Sequence, residues 1–199
     1  MKPRIIVDMD NTMYPSKFAQ ACHDLYGVPT SRDVELLKWE WHKDYGLTDD
    51  QFYAAVNMVH ASQEDYDPFP GAVEALADWK GRGLHITIAT HRRPEQTNFT
   101  PLLQWLWDNR VEYDAIYMGL HGKEALFGPG AIVIDDRPST IEAAVRANCD
   151  LVVTLAHPYV KKTVEDFFPF SRMGENWDEI RKIVNIHLEE ENSWKDGLA

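Results

Sequence analysis

Residues 4–12 read RIIVDMDNT, an apolar run that ends on two carboxylates, Asp8 and Asp10, with a single residue between them. Side chains alternate across a strand, so positions i and i+2 share a face, and two like charges that close repel unless a cation or a shared proton relieves them. A pair of acids at the end of a buried strand therefore calls for a metal, a reaction, or both.

The same design, an apolar run closed by a polar group, recurs outward from this point. LHITIAT at 84–90 ends on Thr90 and AIVIDD at 131–136 ends on Asp135 and Asp136, while DAIYMG at 114–119 and LVVTLA at 151–156 fit two more short strands. Helical patterns lie between them. AVEALADWKGRG at 72–83 is amphipathic and closed by Gly81 or Gly83, residues 94–110 fit mostly helix with a break near Pro101, and PSTIEAAVRANC at 138–149 starts with Pro138 near its first turn. A last helix is expected from about Glu175 to Glu190, before an acidic tail that frays. Near-continuous apolar strands alternating with helices predict an α/β fold, a Rossmann-like parallel sheet sandwiched by helices. Ligands of such sheets bind outside the carboxyl ends of the strands. Asp8, Asp10, Thr90, Asp135 and Asp136 fall there, and Lys123 lies in the loop between the third and fourth strands. One site is implied.

Residues 15–67 hold no convincing strand. SRDVELLKWEWHKDYG at 31–46 fits a helix that Ser31 can cap and Gly46 can stop, and DPFPG at 67–71 punctuates the end of the segment. The expected organisation is a core of residues 1–14 and 68–199 with a small helical cap, 15–67, inserted after the first strand.

With 199 residues and 44% hydrophobic content, a real core is expected. The formal net charge of −12 disfavours extended nucleic-acid binding, which needs Lys and Arg on phosphates. No apolar run approaches the roughly 20 residues that span a bilayer, and no signal-peptide pattern opens the chain, so a cytoplasmic protein is expected. Cys22 and Cys149 form no closely spaced ligand pair and read as buried thiols. His85, His121 and His157 read as ordinary strand or loop residues, without an i, i+4 His pair or Cys partner to suggest a metal.

Four carboxylates, a hydroxyl and a lysine suit phosphoryl transfer through an aspartyl-phosphate. A hard cation such as Mg²⁺ takes oxygen ligands and joins carboxylates to substrate phosphate. Asp8 can serve as ligand and nucleophile, Lys123 supplies positive charge, Thr90 supplies a hydroxyl donor, and Asp10 can protonate a leaving alkoxide and then deprotonate water. Alone, a D-x-D also suits a surface turn, and a lone DD or loop Lys is usually solvated. Their joint fall at strand ends of one sheet favours a site.

DMDNT, the Thr closing ITIAT, the isolated Lys123 and IVIDD resemble, in order and spacing, the four motifs of the haloacid dehalogenase superfamily of phosphatases. The resemblance spans essentially the whole core. It implies Asp8 as nucleophile, Asp10 as acid/base, Thr90 as phosphate ligand, Lys123 as charge stabiliser, and Mg²⁺ held by Asp8, Asp135, Asp136 and the carbonyl of Asp10. The segment 15–67 sits where that family's small helical cap emerges. Asn11 stands where the family usually has Gly; Asn readily adopts positive φ, so the turn can survive.

FPGAVEAL, RMGENWDEI and the short cap resemble the 5′(3′)-deoxyribonucleotidase group, including bacterial and phage relatives, which implies a nucleoside monophosphate as substrate. Phe18, Tyr26, Trp39, Trp41, Tyr45, Phe52 and Tyr53 enrich the cap in rings, and one or two facing the cleft could stack on a base, with Phe18 the first candidate. His91, Arg92 and Arg93 after Thr90 depart from that group and suit contact with a second phosphate or a sugar, or a solvated loop. IDDRPSTIEAA resembles instead the phosphatase domain of bacteriophage polynucleotide kinase-phosphatases, where Arg92, Arg93 and Arg137 would hold a nucleic-acid 3′ end. A non-catalytic phosphoryl-binding module is the third reading, and it would be favoured by a missing motif residue; none is missing.

Overall fold

The computed structural model describes residues 3–29, 32–92, 98–118 and 122–196. Its centre is a six-stranded sheet in the order β3-β2-β1-β4-β5-β6, parallel throughout. The strands are β1 (Arg4–Val7), β2 (His85–Thr90), β3 (Ala115–Met118), β4 (Ala131–Ile134), β5 (Leu151–Leu155) and β6 (Ser171–Gly174). Period-two alternation divides their side chains between two cores. Ile5, Val7, Ile86, Ile88, Ile132 and Ile134 point to one face. There they meet α5 (Ala72–Gly81), α6 (Thr100–Asp108) and α9 (Trp177–Asp196). Ile6, Ala89, Val133 and Val152 point to the other, toward α7 (Pro138–Arg146) and α8 (Lys161–Asp166). Burial on both faces explains why these strands read as unbroken apolar runs.

The chain between β1 and α5 forms α1 (Phe18–Tyr26), α2 (Arg32–Leu37), α3 (Trp41–Asp44) and α4 (Asp49–Ala61). These enclose a small core of their own around Cys22, Trp41, Leu47, Ala55 and Val59. Helix α4 starts on a capping box: Thr48 Oγ1 accepts from the Gln51 N–H at 3.2 Å, and Gln51 Oε1 accepts from the Thr48 N–H at 2.9 Å.

Several elements differ from the sequence reading. The single helix expected over 31–46 is interrupted between Leu37 and Trp41. The break lets Trp41 enter the interior of this helical segment, 4% exposed, while Trp39 stays 41% exposed beside Tyr159. Pro101 lies in the first turn of α6, where its missing N–H costs nothing, and residues 94–97 of the helix expected over 94–110 lie outside the described residues. Strand β6 was not expected: it has four residues, includes an Arg and a Gly, and pairs only with β5. The tail thought to fray continues α9 through Asp196. Ser31, Arg93 and His121 lie outside the described residues. Among the described residues no helix is long and apolar enough to cross a membrane.

Candidate active site

The sheet order reverses direction between β1 and β4, the switch point where open α/β sheets bind ligands. Val7 pairs with Ile134, so the residues that follow them, Asp8 and Asp135, emerge side by side. The Asp8 N–H extends the ladder to the Ile134 carbonyl at 2.9 Å, and the Asp135 N–H does so to Val153 at 3.2 Å. Asp8, Asp135 and Asp136 each offer an oxygen within 4.8 Å of the others, and all three are buried. Lys123, 1% exposed, enters from a short 3-10 turn and donates to Asp8 and, at 2.6 Å, to Asp135 Oδ2.

Three buried carboxylates thus lie together, two of them paired with one lysine. Burial, reinforced by Asp135 and Asp10 and opposed by Lys123, pushes the Asp8 carboxyl up to about 7. Burial together with Asp8 and Asp135 also raises Asp136 well above the usual carboxylate range. The same carboxylates hold the Lys123 ammonium above its ordinary value despite its burial. An all-oxygen donor set with surplus negative charge suits a hard divalent cation such as Mg²⁺.

Asp10 does not join this cluster. Strand β1 ends at Val7, so the alternation that would align positions 8 and 10 has already lapsed. The chain turns through Asn11 at φ 57°, a left-handed conformation that Asn tolerates. Asn11 Oδ1 accepts from the Ser16 N–H at 3.1 Å and its hydroxyl at 2.8 Å, and the Asn11 carbonyl accepts from His157 Nε2 at 2.9 Å. The cap joins this support through Glu35, which is 3% exposed and accepts from the Ser16 hydroxyl and, at 2.9 Å, from the Ala19 N–H. Asn11 therefore both permits the turn and ties it down.

So placed, Asp10 faces a second set of partners. Tyr14 Oη donates to its Oδ1, Arg92 donates to Oδ1 at 3.1 Å, and His60 Nε2 lies 3.1 Å from both oxygens. Burial alone would raise this carboxyl, but Arg92, His60 and Tyr14 outweigh it and hold it well below the usual range. Arg92 also donates to Tyr14 Oη at 2.6 Å and to the Gln63 side-chain carbonyl. Thr90, 1% exposed at the end of β2, accepts from the Arg92 N–H at 3.3 Å. His91 Nε2 lies 3.4 Å from Thr140 Oγ1, and burial, with Lys123 nearby, pushes its imidazole down to about 4. Phe18 packs edge-on against Phe52 and His60, with ring centroids 5.9 and 6.0 Å away.

The structure therefore gathers Asp8, Lys123, Asp135 and Asp136 in one cluster and sets Asp10 beside it in a second, with Arg92, Tyr14 and His60. Sequence reasoning missed His60, Tyr14 and Gln63 around Asp10, and Tyr159, whose hydroxyl donates to Asp136 Oδ2. Tyr159 stacks on His157 and meets Trp39 of the cap edge-on, with centroids 5.3 and 5.4 Å apart. Tyr14, four residues past Asp10 in the same loop, carried the only local signal; His60 is 50 residues away and depends on how α4 docks.

No protein-family model matches the chain, and no curated protein does. Solved structures do. A predicted phosphoglycolate phosphatase from Haemophilus somnus superposes with a TM-score of 0.64 at 16% identity, covering 92% of this chain and 98% of its own. A haloacid dehalogenase-like hydrolase from Streptococcus pneumoniae gives 0.65 at 14% identity, over 92% and 98%. A predicted phosphatase from Clostridium acetobutylicum gives 0.64 at 16%, over 92% and 99%. At these identities the likeness is one of fold, and the fold is that of the haloacid dehalogenase-like hydrolases.

Proposed function

We propose that this protein is a Mg²⁺-dependent phosphomonoester hydrolase working through an aspartyl-phosphate, with residues 15–67 acting as the cap over its site. The observation that carries the reading is the clustering of Asp8, Asp135 and Asp136 at the sheet's switch point, with buried Lys123 paired to Asp8 and Asp135.

Asp8 is the nucleophile. One of its carboxylate oxygens attacks phosphorus, the ester P–O bond breaks, and the leaving alkoxide takes a proton from Asp10. Water then attacks the aspartyl-phosphate, gives a proton to Asp10, and releases inorganic phosphate and free Asp8. Lys123 and the Thr90 hydroxyl bind and orient the phosphoryl oxygens. Asp8, Asp135, Asp136 and the Asp10 carbonyl would hold Mg²⁺, which when bound offsets the negative charge that otherwise repels a carboxylate from a phosphate. The negative charge of a phosphate arriving beside Asp10 would raise its proton affinity and so prepare it to act as an acid.

The finer reading is a 5′-nucleotidase or deoxyribonucleotidase acting on nucleoside monophosphates. It is supported by Trp39, an exposed cap ring beside Tyr159 that has the Arg137 guanidinium 5.9 Å from its centroid, a setting open to a planar base. The polynucleotide-end reading has less support, because Arg92 is engaged by Asp10, Tyr14 and Gln63. The test is one panel of nucleoside monophosphates, sugar phosphates and a 3′-phosphorylated oligonucleotide, assayed with Mg²⁺ and with chelator. Release of phosphate from mononucleotides with Mg²⁺ alone is expected. No turnover of any monoester with Mg²⁺, or full turnover in chelator, would overturn the reading.

A further inference from the structure

Asp10 receives its donors unevenly. Tyr14 and Arg92 both donate to Oδ1, whereas Oδ2 is met, among the described residues, only by His60. His60 comes from the cap, at the C-terminal end of α4, and its side chain is 5% exposed. A carboxylate only accepts, so Nε2 carries the hydrogen in this contact, and Nδ1 has no partner among the described residues. The imidazole therefore has one polar contact here, and that contact straddles both oxygens of Asp10.

Tyr14 and Arg92 hold the carboxylate through Oδ1, and the His60 N–H, which reaches both oxygens, holds it from the Oδ2 side as well. With Tyr14 and Arg92 crowding Oδ1, Oδ2 is the oxygen left to exchange a proton. The 3-10 turn that follows α4 adds a second tie from the same part of the cap, because Gln63 accepts from Arg92.

From this geometry we propose that His60 is a positioning residue: a cap side chain that holds Asp10 from the Oδ2 side and presents Oδ2 for proton transfer. The inference rests on the phosphatase reading for its chemical consequence and stands on the contact itself for its structure. Because geometry governs acid–base catalysis before proton affinity does, losing His60 should hurt most where a leaving group must be protonated.

The test compares His60→Leu and His60→Gln with the wild type on two esters, glycerol phosphate, whose alkoxide needs a proton, and p-nitrophenyl phosphate, whose leaving group does not. Proper positioning gives His60→Leu a rate of Asp8 phosphorylation by glycerol phosphate, read in a single turnover, roughly 10- to 100-fold lower, at or below the roughly 10²–10⁴-fold that positioned acid–base catalysis supplies, with KM nearly unchanged and a smaller loss on p-nitrophenyl phosphate. His60→Gln, which keeps an N–H, should recover much of it. Equal losses on both esters, no loss, or no recovery with Gln would overturn the role. In parallel, proton NMR should show a slowly exchanging Nε2–H of His60 in the wild type that vanishes in Asp10→Ala; absence of that signal, or its persistence in Asp10→Ala, would overturn the contact. A wild type inactive on both esters and on nucleoside monophosphates would overturn the phosphatase reading, while the imidazole proton would still decide the contact.

Discussion

Asp8 and Asp10 stand two residues apart in one loop, yet their surroundings drive them in opposite directions. Asp8 shares a buried pocket with two other carboxylates and one lysine, and its carboxyl is pushed up to about 7. Asp10 meets an arginine, a histidine and a phenol and is held well below the ordinary range. One pocket has surplus negative charge and suits a cation; the other already carries its cation as Arg92. Such separation is how a site assigns different duties to chemically identical groups. It arises because the strand ends at Val7, freeing Asp10 to turn toward the cap.

The comparison breaks most completely at Asp8. Asp8→Asn keeps the shape of the side chain but removes the attacking charge, so phosphatase turnover should fall to background in a folded protein. Circular dichroism with a phosphate-release assay checks this. Appreciable turnover by the folded variant would remove Asp8 from the nucleophile's role.

Arg92 is the corresponding lever in the other pocket. Its side chain is 1% exposed and that of Asp10 is 21% exposed. Removing one partner of a buried ion pair strands the other, so Arg92→Leu should lower unfolding stability by about 3 kcal/mol, the low end of the range because Asp10 keeps some access to water. Arg92→Lys should recover only part, since an ammonium cannot serve Asp10, Tyr14 and Gln63 together. A denaturant midpoint unchanged by Arg92→Leu would show that Asp10 does not depend on that charge.

These two pockets were unequally legible in the sequence. Asp8, Thr90, Asp135 and Asp136 close apolar runs, and a parallel sheet delivers such residues to one edge whatever else the chain does. The partners of Asp10 follow no single rule. His60 lies 50 residues away on α4, and only the docking of that helix brings it in. Arg92 follows β2, which pairs with β1, so the sheet delivers it to Asp10. It read as a substrate contact because it follows Thr90 in a loop, and in the structure it donates to Asp10, Tyr14 and Gln63. Strand β6 was hidden for a local reason: it is an edge strand without the apolar run that marks a central one.

The Asp8 pocket can be sharpened through pH. Without metal, Asp8 keeps its proton up to about 7, whereas the unfolded chain releases it near 3.8. The folded state therefore binds more protons across that window, and Asp8 makes metal-free stability fall as pH rises through it. Asp136, raised by the same burial, acts in the same sense, and His91, held neutral down to about 4 against an ordinary 6.5, acts in the opposite sense over part of the range, so stability alone reports opposed effects. Mg²⁺ affinity isolates the carboxylates. Binding must expel the protons held on Asp8 and Asp136, so the apparent association constant should rise by at least about tenfold per pH unit below 7. Calorimetry across pH 5–8 measures it, and an affinity independent of pH would mean that Asp8 is ionised before the metal arrives.

The smallest effect comes from the cap, which touches each pocket through a different ring. Phe18 reaches Asp10 only through His60, whereas Trp39 reaches Asp136 through Tyr159 and leaves part of its ring exposed. If the phosphate end is built from core residues common to every monoester, selectivity must come from exposed cap surface. Trp39 is then the ring that meets a base. Stacking contributes about 1–3 kcal/mol per base, and a ring only partly exposed belongs near the lower limit, so Trp39→Leu should reduce kcat/KM for nucleoside monophosphates about fivefold while sparing glycerol phosphate. Phe18→Leu should instead lower both substrates together, because its influence passes through Asp10, which every ester uses. Equal depression of both substrates by Trp39→Leu would make that ring a strut between cap and core, and would leave the nucleotide reading without a stacking surface.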